Sequence, residues 1–419
     1  MSASGREGDD LGLAWLAPRR GNATMRGQPS RSPTVTSPPP TEHTGPEIHR
    51  GLNGVYFERS GVSFIDGREG TLLYRGYSIH ELAEHSTFEE TAYLLLYGEL
   101  PTRPQLQAFD AELRANRAIP DGVVAVIDSI KHAHPMEVLR TSISALGAFD
   151  PEVGDNSREA TLRKGLRLSA QVATLVGTHQ ALRQGRAPTP PDPSLSHAAN
   201  FLAMILGAPP SERAARLMDK DLILHAEHGS NASSFTARVV AGTEANVHAS
   251  ITAAVAALSG PAHGGAAENV MKMAQEIGEP SRAAEYVKRL RANREPIMGF
   301  GHRVYRAEDP RARHLRDDVK ALSLEMEEPR WYAILEAVVE AMRPYARLGV
   351  NVNVDFYAGV IYYLLGIPED LFVPIFAVGR VPGWTVQVVE QFEHNILIRP
   401  LTAYSGPPPR PYVAIEERG

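Results

Sequence analysis

Cysteine is absent from all 419 residues, and disulfides, thiolate metal sites and thiol nucleophiles go with it. The absence fits a reducing compartment, and the cytoplasm is the expected location. Long apolar runs are also missing. The nearest approach to the roughly 18–20 residues a membrane helix needs is Ile251–Leu258, which is short and runs into Ser259-Gly260-Pro261. The N-terminus has no basic-then-apolar signal pattern, and Glu7, Asp9 and Asp10 beside Arg19 and Arg20 argue against a transit peptide. Positive charge is not in excess either: the net charge is −6, so no global field draws the chain to nucleic acid or an anionic membrane. An anionic substrate must therefore be met locally, by a few convergent Arg and His side chains.

What is present is an ordinary globular composition, 43% apolar and 22% charged, in a chain long enough for a large domain and a smaller one. Residues 1–46 are rich in Gly, Ser, Thr, Pro and Arg and cannot bury enough apolar surface to offset their ordering entropy. They are expected to be a disordered extension, with a regulatory tail as the second reading. Order is expected from near Gly51. Val62–Ile65 and Leu72–Arg75 flank a turn at Asp66-Gly67, which predicts an antiparallel pair. Ser78 with Glu81, and Ser86 with Glu89, have the spacing of capping boxes, and the second helix should stop at Gly98. Helical patterning covers about residues 102–117, 160–184, 194–207 and 246–258. It recurs from Trp331 through Met342 until Pro344 interrupts it. Strand-like runs after residue 80 are scarce and no internal repeat is found, so the fold class is mainly α with a small N-terminal β element.

Side chains with chemical capability concentrate in four segments: His225–Ser233, Ser259–Ala266, Gly299–Arg311 and Asn353–Gly359, followed by Arg380 and Arg399. Each has a plain structural alternative. His263 and His302 sit among Gly and Pro residues and read alone as polar turn residues; Asp355 stands where a helix N-cap would; Arg380 and Arg399 read alone as surface ion-pair partners. His225 and His228, with His263 or Asp355, could form a zinc site, but nothing in the spacing demands a metal. Taken together the inventory fits one reaction. Removing a proton from the methyl group of a thioester needs a carboxylate base and donors that hold the enolate. A neutral imidazole suits the donor role, a second one can polarise an acceptor ketone, and planar guanidinium groups grip a dicarboxylate. His263, Asp355, His302, His228, Arg311, Arg380 and Arg399 supply every part.

The run Gly299-Phe300-Gly301-His302-Arg303-Val304-Tyr305-Arg306-Ala307-Glu308-Asp309-Pro310-Arg311, with Gly260-Pro261-Ala262-His263-Gly264-Gly265 and Asn353-Val354-Asp355-Phe356-Tyr357, resembles the citrate synthase family over about residues 50–410. The resemblance implies an acyltransferase without cofactor or metal, acting on acetyl-CoA and oxaloacetate. It implies that His263 stabilises the enolate, Asp355 takes the methyl proton and His302 polarises the ketone. His228, Arg311 and Arg380 would hold the carboxylates, Arg399 would reach the site from the neighbouring subunit of a homodimer, and Gly299, Phe300, Gly301 and Arg306 would contact CoA. It further implies a large helical domain over 47–264 and 367–419, with a small closing domain at 265–366. The His-Ala-Glu-His form resembles the shorter bacterial branch, which includes 2-methylcitrate synthases. Ala262, Gly242–Val247 and Gly379 depart from the usual family pattern without removing a catalytic side chain, and leave the acyl preference open.

Overall fold

The computed structural model describes residues 47–264 and 266–418. The expected extension, residues 1–46, lies outside the described residues. Two compact units are present, one formed by the segment ending at Val55 together with Ala403–Gly419, the other spanning Tyr56–Thr402. The first unit contributes two single-turn 3₁₀ segments, Arg50–Leu52 and Ile415–Glu417, and exposed Tyr404 and Tyr412.

The second unit opens with an antiparallel sheet of β1 (Ser63–Asp66), β2 (Thr71–Tyr74) and β3 (Tyr77–Ser78), with Ser63 opposite Tyr74 and Asp66 opposite Thr71. Asp66 Oδ1 accepts the Arg68 and Glu69 N–H groups at 2.8 and 3.1 Å, which folds the connecting turn. Helices follow: α1 (Ile79–His85), α2 (Phe88–Tyr97), α3 (Arg103–Ala115), α4 (Asp121–Ser129), α5 (Pro135–Phe149), α6 (Arg158–Arg183), α7 (His197–Leu206) and α8 (Glu212–His225). The second half adds α9 (Ala232–Ala241), α10 (Val247–Leu258), α11 (Ala266–Ile277), α12 (Ala283–Ala292), α13 (Ala312–Glu325), α14 (Pro329–Ala346), α15 (Asp355–Leu364) and α16 (Phe372–Glu393). The mainly α expectation holds, and the small sheet is where the sequence puts it.

Local chemistry explains most boundaries. Ser157, Ser196, Ser211 and Asn246 each accept an N–H of the first turn of the helix they precede. Gly98 closes α2 at φ 96°. Two expectations need correction. α2 is capped by Thr87, whose side chain takes the Glu90 N–H, while Ser86 instead closes α1 and Glu89 turns inward to accept the His197 N–H at 2.7 Å. Pro344 does not end α14, which continues to Ala346: so close to the C-terminus, the missing N–H costs a single helical bond.

The core is one large cluster joined by a satellite of Leu96, Phe109, Leu113, Leu162, Leu166 and Val389. The span Glu369–Glu393 is long and apolar enough to cross a bilayer, yet 94% of its most apolar window is buried, so α16 is the central strut of the core. Its glycines decide what packs against it. A Cβ on Gly383 would lie 2.1 Å from the Ala226 carbonyl oxygen, so only glycine lets the end of α8 seat there. β2 holds the same point from the other side: Tyr74 Oη lies 3.2 and 3.3 Å from the Ile223 and Leu224 carbonyls and accepts the Glu227 N–H at 3.2 Å.

Candidate active site

The end of α8 and the loop after it carry His225, Glu227 and His228, all buried. α16 brings Arg380 beside them. Its Nε donates to the His225 carbonyl, its guanidinium carbon stands 4.6 Å from the centre of the Phe376 ring, and it is 0% exposed. Burial lowers the Arg380 pKa to about 10 against the attraction of Glu227, and Nη2 has no hydrogen-bond partner. A buried cation with a bare N–H is a site prepared for an anion.

Arg311, at the entry to α13, is also buried. Its Nε and Nη2 donate to Asp309 at 2.9 and 2.7 Å. Burial opposes the charge, but Asp309 outweighs it and holds the guanidinium protonated.

His302 lies in the Gly299–Arg311 run, where its ring centroid is 5.1 Å from that of His228 and 4.6 Å from that of Tyr305. His302 Nδ1 accepts the Val304 and Tyr305 backbone N–H groups at 3.0 and 3.1 Å. A backbone N–H can only donate, so Nδ1 is unprotonated and Nε2 carries the hydrogen. Burial, with Arg311 adding to it, lowers the His302 pKa to about 4, leaving the ring neutral at pH 7. His228 Nε2 lies 3.1 Å from Tyr305 Oη, and burial first, then Arg311, also pushes its pKa well down.

His263 follows α10. The Ser233 N–H donates to its Nε2 at 3.3 Å, and Ser233 Oγ is 2.9 Å from the same nitrogen. By the same argument the His263 proton sits on Nδ1. The Ser233 hydroxyl is itself anchored by the Trp384 indole N–H at 3.1 Å, and Asn231 caps α9 through the Ser233 and Ser234 N–H groups. Burial, with Arg380 adding to it, brings the His263 pKa to about 4.

Asp355 is the first residue of α15, not its cap. Asn353 Oδ1 accepts the Asp355 N–H at 3.2 Å, and the Asp355 carboxyl caps no helix N–H. Burial raises its pKa; His225 and Arg311 pull it down, and Asp309 and Asp221 push it up.

No direct contact joins residues 263, 302 and 355 to one another; the two arginines connect them. Arg380 acts electrostatically on His263, His228 and Glu227 and is in turn acted on by Asp355, while Arg311 acts on His228, His302 and Asp355. His263 and Arg380 also share the Phe376 ring, whose centroid is 6.3 Å from that of His263.

Of the remaining candidates, Gly299 and Gly301 have φ of 77° and 86°, and a Cβ on Gly299 would fall 2.5 Å from Phe356 Cδ2. Phe300 bridges to Val352 and meets the Phe356 ring edge-on at 5.0 Å. The side chain of Arg306 is exposed, while its N–H donates to the Gly67 carbonyl at 2.7 Å, tying this run to the β1–β2 turn. Arg399 is not drawn into the cluster: it is exposed beyond α16 and has no partner among the described residues.

For metal, no three His, Asp or Glu side chains converge among the described residues. His225 Nδ1 is 2.9 Å from the Asp221 carbonyl and His228 Nε2 is 3.1 Å from Tyr305 Oη, so each of these two nitrogens already has a partner. A separate cleft of about 930 Å³, lined in part by Lys131, Gln180, Arg183, Lys272 and Asp370, holds none of the candidate residues. Its cations are spent in pairs with Asp128, Asp370 and Glu268.

Sequence reasoning missed Ser233, Trp384, Tyr305, Asp309 and Phe376, which orient the candidates. Ser233, Tyr305 and Asp309 lie inside the segments the sequence singled out, but no role was assigned to them.

Comparison with known proteins identifies the family. The family model for the citrate synthase C-terminal domain matches residues 51–401. A citrate synthase of Deinococcus radiodurans is 44% identical over 374 residues, covering 88% of this chain and 99% of that protein. A 2-methylcitrate synthase of Corynebacterium glutamicum is 40% identical over 378 residues, covering 89% and 99%. The citrate synthase of the thermophilic archaeon Thermoplasma acidophilum, solved as a ternary complex with carboxymethyl coenzyme A and oxaloacetate, superposes with a TM-score of 0.84 at 30% identity, covering 89% of this chain and all of that one. With the family model, sequence and fold in agreement, the chain belongs to the citrate synthase family and is an acyltransferase.

Proposed function

We propose that the enzyme condenses acetyl-CoA with oxaloacetate and hydrolyses the resulting citryl thioester to citrate and CoA. The observation that carries this reading is the locking of two neutral imidazoles. His263 and His302 each receive backbone N–H groups on one nitrogen, so each offers an N–H from the other. Asp355 removes a methyl proton from the thioester. His263 Nδ1–H donates to the carbonyl oxygen as it becomes an enolate, and the neutral ring does so without surrendering a full charge. The enolate carbon attacks the oxaloacetate ketone, whose oxygen takes a proton from His302 Nε2. Arg380 Nη2, Arg311 and His228 receive the carboxylates. Water then attacks the citryl thioester carbonyl, the C–S bond breaks and CoA leaves as the thiol. Proton transfer, carbon–carbon bond formation and hydrolysis all proceed by acid–base catalysis and charge stabilisation, and none calls for a metal or redox cofactor.

The same proposal includes CoA contacts at Gly299, Phe300, Gly301 and Arg306, closure of residues 265–366 over the substrates, a cytoplasmic location, and a homodimer in which Arg399 serves the neighbouring site. The exposure of Arg399 supports the last point. Mixing Arg399→Ala with Asp355→Ala protein should then restore activity in hybrid dimers; proven subunit exchange without recovery counts against sharing.

The direct test is thiol release from acetyl-CoA, which should require oxaloacetate and persist in EDTA. Loss of turnover with the chelator would revive a metal-dependent mechanism, and no release would mean a silent CoA- or dicarboxylate-binding relative. The 40% identity to a 2-methylcitrate synthase favours propionyl-CoA as the second acyl donor to test. One methylene shifts discrimination by only about 1–3 kcal/mol, so kcat/KM for the two thioesters decides, and a preference for propionyl-CoA would replace the first reading.

A further inference from the structure

Behind Asp355 runs a buried polar seam that the mechanism above does not use. α15 carries Asp355 and, seven residues on along the same helix face, Tyr362. α8 carries Asp221 and, four residues on, His225. Tyr362 Oη donates to Asp221 Oδ2 at 2.6 Å. His225 Nδ1 lies 2.9 Å from the Asp221 carbonyl, which can only accept, so this nitrogen holds the ring proton. Asp221 Oδ1 is 3.4 Å from the same nitrogen and has no hydrogen-bond partner. Asp221, His225 and Tyr362 are 2%, 1% and 2% exposed, so the carboxyl keeps a bare oxygen in the protein interior.

The seam touches the reaction machinery at both ends. The His225 carbonyl receives Arg380, its ring meets Phe376 at 4.7 Å, and the residue bears electrostatically on Asp355. We infer that Asp221 is a positioning residue for the general base, fixing the roll of α15 through Tyr362 and the orientation of the His225 ring. The inference rests on Asp355 being the base.

A purely structural clamp between two helices would leave the base's proton affinity alone, whereas a positioning role would not. The groups bearing on Asp355 are Asp221 and His225 of α8, Tyr362 of its own helix, Arg380 of α16, and Asp309 and Arg311 before α13. Burial raises the Asp355 pKa most, with Asp309 and Asp221 adding to it. Asp221→Asn keeps the size of the side chain and an acceptor for Tyr362 but removes the charge. Asp355 then deprotonates at lower pH and becomes a weaker base.

The expected results are an acid limb of kcat/KM moved down by roughly half a pH unit and a plateau kcat lowered about 3- to 10-fold, a small part of the roughly 10²- to 10⁴-fold that a general base contributes. KM for oxaloacetate should change less than about 2-fold. Tyr362→Phe, which removes only the clamp, should lower kcat without moving that KM, and it decides the matter if Asp221→Asn does not fold. Wild-type kcat and an unshifted limb in the folded variants would overturn the inference. Should wild-type protein release no thiol, the proposed function fails instead. Infrared titration of ¹³C-aspartate protein, with Asp355→Asn identifying the band, then still decides. The Asp355 carboxyl must titrate lower in Asp221→Asn, and an unmoved band ends the idea.

Discussion

Replacing Arg380 by leucine tests the anion site where the structure is most explicit. The guanidinium is fully buried, one bond ties it to the His225 carbonyl, and Nη2 is bare. A buried hydrogen bond to a charged group is worth about 1.5–3 kcal/mol, so losing the one Nη2 would make to a substrate carboxylate weakens oxaloacetate binding roughly 10- to 150-fold. Stability of the free protein should change little, because the lost bond to His225 is opposed by relief from burying a cation. Glu227, which burial already biases toward its protonated form, loses a charge that opposes that bias. Ligand linkage makes the outcome readable without turnover. Oxaloacetate at 100 times the wild-type Kd stabilises the protein by about 2.7 kcal/mol, and a 100-fold weaker variant at the same concentration gains only about 0.4 kcal/mol. Thermal or urea unfolding with and without oxaloacetate measures this. An undiminished ligand-induced stabilisation in Arg380→Leu would refute the assignment.

Asp355→Ala should lower kcat by about 10²-fold or more with urea unfolding unchanged, and near-normal turnover would reduce Asp355 to a helix-start residue. Gly67→Ala would place a Cβ 2.2 Å from the Val304 carbonyl oxygen, in the run that holds His302. A loss of roughly 1–3 kcal/mol in unfolding free energy, together with a lower kcat, is expected, and a wild-type-like variant would show that the hairpin does not support that run. His263 and His302 titrate near 4 in the folded protein, against 6.5 when unfolded. The unfolded chain therefore binds the extra protons first. Their contribution to stability is complete above about pH 6.5 and is lost as pH falls toward 4. Urea unfolding at pH 7 and pH 4.5 checks the direction, and equal stability at the two would contradict it.

Helix positions were legible because their signals are local. Gly98 can take a positive φ and Asn246 can accept a first-turn N–H wherever the rest of the chain goes. The two boundaries that moved did so for tertiary reasons. Glu89 left its capping box for the His197 N–H, over a hundred residues away, and Ser86 stayed behind to close α1. The proposed acid–base residues stand out in the sequence as a set, because few reactions need two imidazoles, a carboxyl and several guanidinium groups together. Their orientation was not. Whether His263 is held by Ser233, and Ser233 by Trp384, depends on how α9, α16 and the end of α10 meet, and residue type at a single position does not encode that. Asp355 shows both sides. Its place at a helix start was readable, but that it is the first helical residue rather than the cap, with its N–H held by Asn353 Oδ1, became visible only with the backbone in place.

The nitrogen that keeps His302 in register is gripped by peptide groups of residues 304 and 305, not by side chains. The ring therefore travels with its own stretch of main chain, and whatever rearranges that stretch delivers the proton donor already aligned. Exchanging the exposed Val304 side chain should matter little, whereas proline at that position, or an ester in place of the amide, would set the imidazole free to rotate.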